Sequence, residues 1–347
     1  MFFFWAAALL VGLAGWACSL WTAQEPRAWR MLLISFLYFT PLAAGLVVWP
    51  AIVLLCRGTW TAGLERRALA GVAFAPVSLV TFAALYLSRA HWAAWMTQTG
   101  LPNASWLSTD FLFLRDAVAL IIFWALAACF VARWPRRPRV LAGWLALAYA
   151  LVFSLLAFDL AMALDPRGYS TLFGGYFFVS GLYAAVVAWT FLVLARRAPS
   201  AQPEQLGDLG KLILTFSLLT AYMMFSQLLV IWYENLPAEA LFVVPRLRFE
   251  EYAAVSLLVL VVYLGPLVLL VGRRAKRNPL WLGGVSTLLL CGLWLERWWL
   301  VTPASKGPVA FGLPEFSLTL AFVAAFALAF RTFHRFAGDE SPQGDRA

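Results

Sequence analysis

Five charged side chains fall inside long apolar runs: Arg115, Asp116, Asp159, Glu296 and Arg297. A charge at the middle of a bilayer costs about 2.5–3.5 kcal/mol on insertion scales, so each needs a partner or a task. Arg115 lies about six residues, roughly 9 Å, inside its run. Asp159 is about as deep in the next run, measured from the same side. Consecutive antiparallel helices tend to be neighbours, so Arg115 is expected to pair with Asp159. Asp116 is expected to point about 100° away from Arg115. Two uses fit this set. It is either a structural ion pair that fixes helix register, or a site open to the outer side, where Arg115, Asp116 and Asp159 relay a proton or hold a quinone headgroup. Glu296 and Arg297 stand in Trp294-Leu295-Glu296-Arg297-Trp298-Trp299, near a helix end among tryptophans. They are expected to snorkel to the interface.

Two polar stripes form a second constellation. On a wheel of about 100° per residue, Asp208, Lys211, Thr215, Tyr222, Ser226 and Tyr233 fall within an arc of roughly 60°. Tyr169, Tyr176, Ser180, Tyr183 and Thr190 fall within roughly 80° on the preceding helix. If the stripes face each other they line a polar seam through the bilayer. Asp208 and Lys211 would stand at its inner mouth, and Asp159 and Asp165 at its outer mouth. Hydroxyls and trapped water along such a seam would pass protons. The same hydroxyl types also serve simple packing, because Ser, Thr and Tyr hydrogen-bond across helix contacts in membranes.

The elements that must position these residues follow from composition. Of 347 residues, 63% are hydrophobic and 12% charged. Soluble domains run near 45–50% apolar and about 25% charged. Mean hydropathy is +0.81. A spanning helix needs roughly 20 mostly apolar residues. Ten candidates appear, at 2–22, 29–56, 68–87, 109–132, 140–163, 170–195, 209–233, 252–272, 280–301 and 314–333. The expected fold is an all-α polytopic membrane protein with one transmembrane domain over 1–336 and a polar cytoplasmic tail at 337–347. The first run has no positively charged leader and is too long for a typical signal peptide, so it reads as a retained first helix.

Of the 26 Lys and Arg, 17 fall in loops 2, 4, 6 and 8 and the C-terminal tail, helix ends included; loops 1, 3, 5, 7 and 9 hold 7. The positive-inside rule then places both termini in the cytoplasm. Topology also accounts for the net charge of +9 without invoking nucleic acid. The long outer loops 3 and 7 each precede a helix that starts with an acid, Asp110 or Glu250. This hints at two four-helix bundles, helices 2–5 and 6–9, flanked by helices 1 and 10.

Several functions are excluded. A transmembrane cytochrome b needs axial haem ligands, usually histidine. The two histidines, His91 and His334, fall outside the apolar runs. Cys18, Cys56, Cys129 and Cys291 are far apart and have no metal-ligand spacing. There is no Walker A motif. No pair of broken helices marks a transporter site. The chain is expected to bind no redox cofactor directly, so an electron-transfer role requires partners that carry the metal centres.

Two blocks carry a family resemblance. One runs Phe158-Asp159-Leu160-Ala161-Met162-Ala163-Leu164-Asp165-Pro166-Arg167-Gly168-Tyr169-Ser170-Thr171. The other joins Asp208-Leu209-Gly210-Lys211 to Tyr222-Met223-Met224-Phe225-Ser226-Gln227 and Ile231-Trp232-Tyr233-Glu234-Asn235-Leu236-Pro237. They resemble the F subunit of alternative complex III, a bacterial quinol:electron-acceptor oxidoreductase, within the polysulfide-reductase-anchor (NrfD-like) superfamily. The resemblance is sharp over about 158–240 and general elsewhere. It implies two four-helix bundles in a bacterial inner membrane. It also implies partners: a sister NrfD-like membrane subunit, an iron–sulfur subunit and multihaem cytochrome c subunits, which carry the iron–sulfur clusters and haem c. The resemblance implies that the sister subunit holds the main quinol site and that this chain binds no cofactor directly, with quinone binding by this chain as the alternative. Its role would be a proton pathway or scaffold. Where such subunits carry a His pair near the inner end of helix 2, this chain has Val53-Leu54 and lacks any proton step through that pair.

Overall fold

The computed structural model describes residues 2–97, 104–165, 170–195, 202–234, 236–248, 250–305 and 309–336. Among them there is no strand, and ten helices are long and apolar enough to cross a bilayer. In chain order they are α1 (Phe2–Leu20), α2 (Glu25–Leu55), α3 (Glu65–Leu87), α4 (Thr109–Ala132), α5 (Arg139–Leu164), α6 (Leu172–Ala195), α7 (Pro203–Glu234), α8 (Glu250–Leu269), α9 (Pro279–Val301) and α10 (Leu313–Phe336). Each matches an expected run to within a few residues, α7 beginning six residues early at Pro203. Loop 7 holds a further short helix, Pro237–Arg248, that its modest hydropathy did not announce. The tail at 337–347 lies outside the described residues. The end carrying loops 1, 3, 5, 7 and 9 is called the odd-loop end below.

The packing follows the expected double bundle. Helices α2, α3, α4 and α5 pack in a ring, and α6, α7, α8 and α9 pack in a second ring with the same order of neighbours. The two rings meet along α2 and α6, with α5 against α6 and α9 against α2. Helix α2 is therefore the centre of the molecule, and its apolar stretch is entirely buried. That burial explains the unbroken hydrophobic run, which includes Pro41 and Pro50, and side chain–backbone hydrogen bonds tie α2 to its neighbours. Tyr149 Oη donates to the Pro41 carbonyl at 3.1 Å, and Trp49 Nε1 donates to Leu182 O at 3.0 Å. At the crossing, Gly45 and Gly181 let the backbones close up: a Cβ on Gly45 would stand 2.7 Å from Ala185 Cβ.

Helices α1 and α10 flank the bundles as a pair, and α10 lies against α2 and α3. The cause is a small-residue contact, Gly12 and Gly15 of α1 against Ser317 and Ala321 of α10. An ion pair from α2 to α10, Arg27–Glu315 at 2.7 Å, secures it.

Candidate functional site

Helix α9 buries one stripe: Leu282, Val285, Leu289, Leu293 and, in continuation, Glu296. The 3–4 residue spacing that faces leucines to the bundle carries the acid inward too. Glu296 is 0% exposed and Arg297 2%. The expectation that this pair snorkels to the interface is thus overturned. Adjacent residues leave a helix about 100° apart, but both side chains are long enough to turn into the space between α6, α8 and α9.

Around Glu296 the polar contacts are dense. Oε1 accepts from the Tyr176 hydroxyl of α6 and, at 3.0 Å, from the Tyr263 hydroxyl of α8. The two phenols are 2.8 Å apart. Arg297 Nη1 stands 3.2 Å from Oε2. Its Nη2 donates to Ser180 Oγ at 2.5 Å, and the guanidinium lies 4.1 Å over the Phe177 ring. Three helices thus supply one carboxylate, two phenols, one hydroxyl and one guanidinium in a buried interior. A hydrogen-bonded string of this kind can pass a proton between phenol and carboxylate without moving the backbone. Tyr263 was not foreseen. Its signal was a lone phenol inside the run Leu258–Leu264, since a buried tyrosine hydroxyl needs a partner.

The second site is the one expected between α4 and α5. Arg115 Nη2 donates to Asp159 Oδ2, and Trp106 Nε1 donates to Asp159 Oδ1 at 2.8 Å. Trp106, in loop 3, also lies flat against the arginine, whose Cζ is 3.8 Å from its ring centre. Asp159 sits in a π-helical turn, Ala157–Ala161, the kind of bulge that re-aims a side chain. Asp116 does not simply point away: its Oδ1 is 3.8 Å from Arg115 Nε. Both acids are fully buried. Arg115 Nε and Nη1 have no hydrogen-bond partner among the described residues, and Asp116 has none but the adjoining Asp159 carboxyl.

The polar seam between α6 and α7 does not form. Tyr176, Ser180, Tyr183 and Thr190 of α6 are buried, but they bond to α8 and α9 or within α6, and Tyr183 meets α7 only at Ser217, which is not in the stripe. The α7 stripe faces outward. Tyr222 is 66% exposed and Tyr233 83%. Thr215 and Lys211 are exposed, with Lys211 held at 2.7 Å by Asp208 at the even-loop end; Ser226 is half-buried. The reason is competition between faces. The opposite face of α7 presents Gly207, Gly210, Ser217 and Thr220, and small residues let helices approach most closely. Ser217 Oγ from this face donates to Tyr263 O, tying α7 to α8 beside the Glu296 cluster. Tyr169 lies outside the described residues.

At the odd-loop end the short helix of loop 7 adds Arg246, buried at 1% exposure. It donates to the last carbonyls of α9, Leu300 O at 2.7 Å and Trp299 O at 3.3 Å. Burial pushes its guanidinium down to about 10, against the pull of the nearby Asp165 carboxylate. Asp165 and Tyr176 both lie within its electrostatic reach. His91 rests against Trp29 and Glu25 at the odd-loop end. Among the described residues no three His, Cys, Asp or Glu side chains gather as a metal site would require. No protein-family model matches the chain, and no curated protein matches it.

Proposed function

We propose that this chain is a multi-pass subunit of a respiratory quinol-oxidising complex in a bacterial inner membrane, and that it carries protons through the Glu296 cluster. The observation that carries the proposal is a fully buried carboxylate hydrogen-bonded to two phenols, Tyr176 and Tyr263, in the core of a membrane bundle. Ionisable groups in that setting are costly to insert and typically mark proton or ion routes. The blocks at 158–171 and 208–237 supply the context, a complex whose sister NrfD-like subunit, iron–sulfur subunit and multihaem cytochrome c subunits hold the redox centres. The positive-inside rule supports cytoplasmic termini, and in that orientation the clusters near the odd-loop end lie toward the outer side. The route narrows to Asp165, Tyr176, Ser180, Tyr263 and Glu296; the outward α7 stripe has no part in it.

The test is made in the assembled complex. Glu296→Gln is expected to lower proton uptake and release per quinol oxidised while leaving electron transfer largely intact. Unchanged proton stoichiometry would overturn the reading. A pure scaffold would show fewer assembled complexes, each with normal coupling. Copurification of iron–sulfur and c-type haem proteins with the tagged chain tests the complex itself.

A second reading rests on its own observation. The unpartnered buried nitrogens of Arg115, beside Asp116, suit a polar ligand such as a quinone headgroup, because buried polar groups rarely go unsatisfied. Arg115→Gln is then expected to weaken quinone binding about tenfold or more, the loss of one hydrogen bond to a charged group. Full affinity in that variant would remove this reading.

A further inference from the structure

We propose that the groove between α3 and α4 binds one zwitterionic aminophospholipid, its acyl chain along the groove and its headgroup held between Asp110 and Arg89. This site is independent of the proton route. The groove measures about 550 Å3. That lies within the roughly 300–1,000 Å3 of small-ligand pockets. Its floor is Phe82 and Phe113, both buried, with ring centres 5.8 Å apart. Ala83 and Ala117 stand on its two walls, where larger side chains would close it. Exposed Leu114 and Ile121 form its rim on the outer, lipid-facing surface.

What distinguishes the groove from a passive furrow is its mouth. Tyr86 and Asp110 line it at the odd-loop end. Asp110 is exposed and forms no ion pair among the described residues. Arg89 stacks on the Tyr86 ring at 4.3 Å and donates from Nη1 to Tyr86 O at 2.9 Å, while its Nε is buried without a partner. Arg89 does not line the groove itself, but its guanidinium rests on the ring of Tyr86, which does, so an acid and a base flank one mouth and complement a headgroup carrying both signs. The lipid ammonium would meet Asp110 and its phosphate would meet Arg89, with charge-assisted hydrogen bonds on both. A phosphoglycerol headgroup offers no cation to Asp110. A choline headgroup offers one that cannot donate a hydrogen bond. An isoprenoid quinone fills the groove but leaves both charges unmatched.

The test uses the intact purified protein, stripped of lipid in mild detergent and titrated with phosphatidylethanolamine, phosphatidylcholine or phosphatidylglycerol of one acyl composition, read by native mass spectrometry. One phosphatidylethanolamine per chain is expected, bound at least about tenfold more tightly than the others. Asp110→Asn and Arg89→Gln are each expected to erase most of that preference. Ala117→Trp, which fills the groove, is expected to abolish the bound lipid. Should Ala117→Trp fail to fold, Asp110→Asn, on an exposed side chain, still decides. Equal binding of the three lipids, a preference untouched by Asp110→Asn, or recovery of a quinone as the bound species would overturn the proposal.

Discussion

Glu296 and Arg297 form a pair that neither partner can leave. Removing one partner of a buried ion pair strands the other charge and costs about 3–5 kcal/mol, whereas replacing both by apolar groups is often neutral. Glu296→Leu is therefore expected to destabilise the protein by about that amount, since Arg297 would keep only Ser180 Oγ and the Phe177 carbonyl and ring. Glu296→Leu with Arg297→Leu is expected to recover most of the loss. Denaturant unfolding in detergent checks both, and simple additivity would show that the two residues are not a unit. At this scale the sequence was legible where geometry is local. Arg115 and Asp159 were matched by depth on consecutive helices, and they do meet. Glu296 was misread because a Glu-Arg pair among belt tryptophans also describes an interface. The deciding signal was its register with Leu289 and Leu293, which fixes the buried face.

Helices here are placed by their small residues more than by their polar ones. On α7 a six-residue polar stripe and a glycine-rich stripe compete, and the glycine-rich one wins the interior. Lost close packing outweighs hydroxyls that can bond their own backbone, as Thr215 does to Lys211 O. The wheel located the polar stripe correctly but could not say which face turns inward, because that depends on the shape of α6 and α8. Positions of the ten helices were legible because hydrophobic runs of spanning length are hard to mistake. The pairing of α1 with α10 was not, since it joins the two ends of the sequence. The same physics predicts opposite outcomes for two alanine substitutions. A Cβ on Gly71 would collide with the Ala43 carbonyl, and backbone cannot step aside. Gly71→Ala is expected to destabilise by about 1–3 kcal/mol through overpacking of α3 on α2. Gly284, in α9, has nothing within 4 Å of its Cβ position. Gly284→Ala is expected to stabilise by about 0.4–1 kcal/mol through the unfolded state. Thermal melts of the two variants beside the parent are sufficient to test this.

Across the whole molecule, an even number of helices per ring has a consequence for where chemistry can occur. Four crossings return the chain to the side it left, so the second ring repeats the first in the same orientation, as in parallel repeats about the membrane normal. Neighbours correspond throughout: α2 with α6, α3 with α7, α4 with α8, α5 with α9. Asp159 stands five residues before the end of α5, and Glu296 five residues before the end of α9. Each is bonded to an arginine. Both acid–arginine sites therefore open toward one membrane face, and their sidedness is a single question. If the basic loops are cytoplasmic, both sites belong to the outer half of the bilayer. In a cysteine-free background, Ser105→Cys in loop 3 is expected to react with a membrane-impermeant maleimide on intact cells. Arg136→Cys, in the exposed basic loop between α4 and α5, is expected to react only after lysis. The reverse pattern would turn the entire molecule over. Both acids would then face the cytoplasmic half, and the proposed proton route through Glu296 would have to run toward the other side.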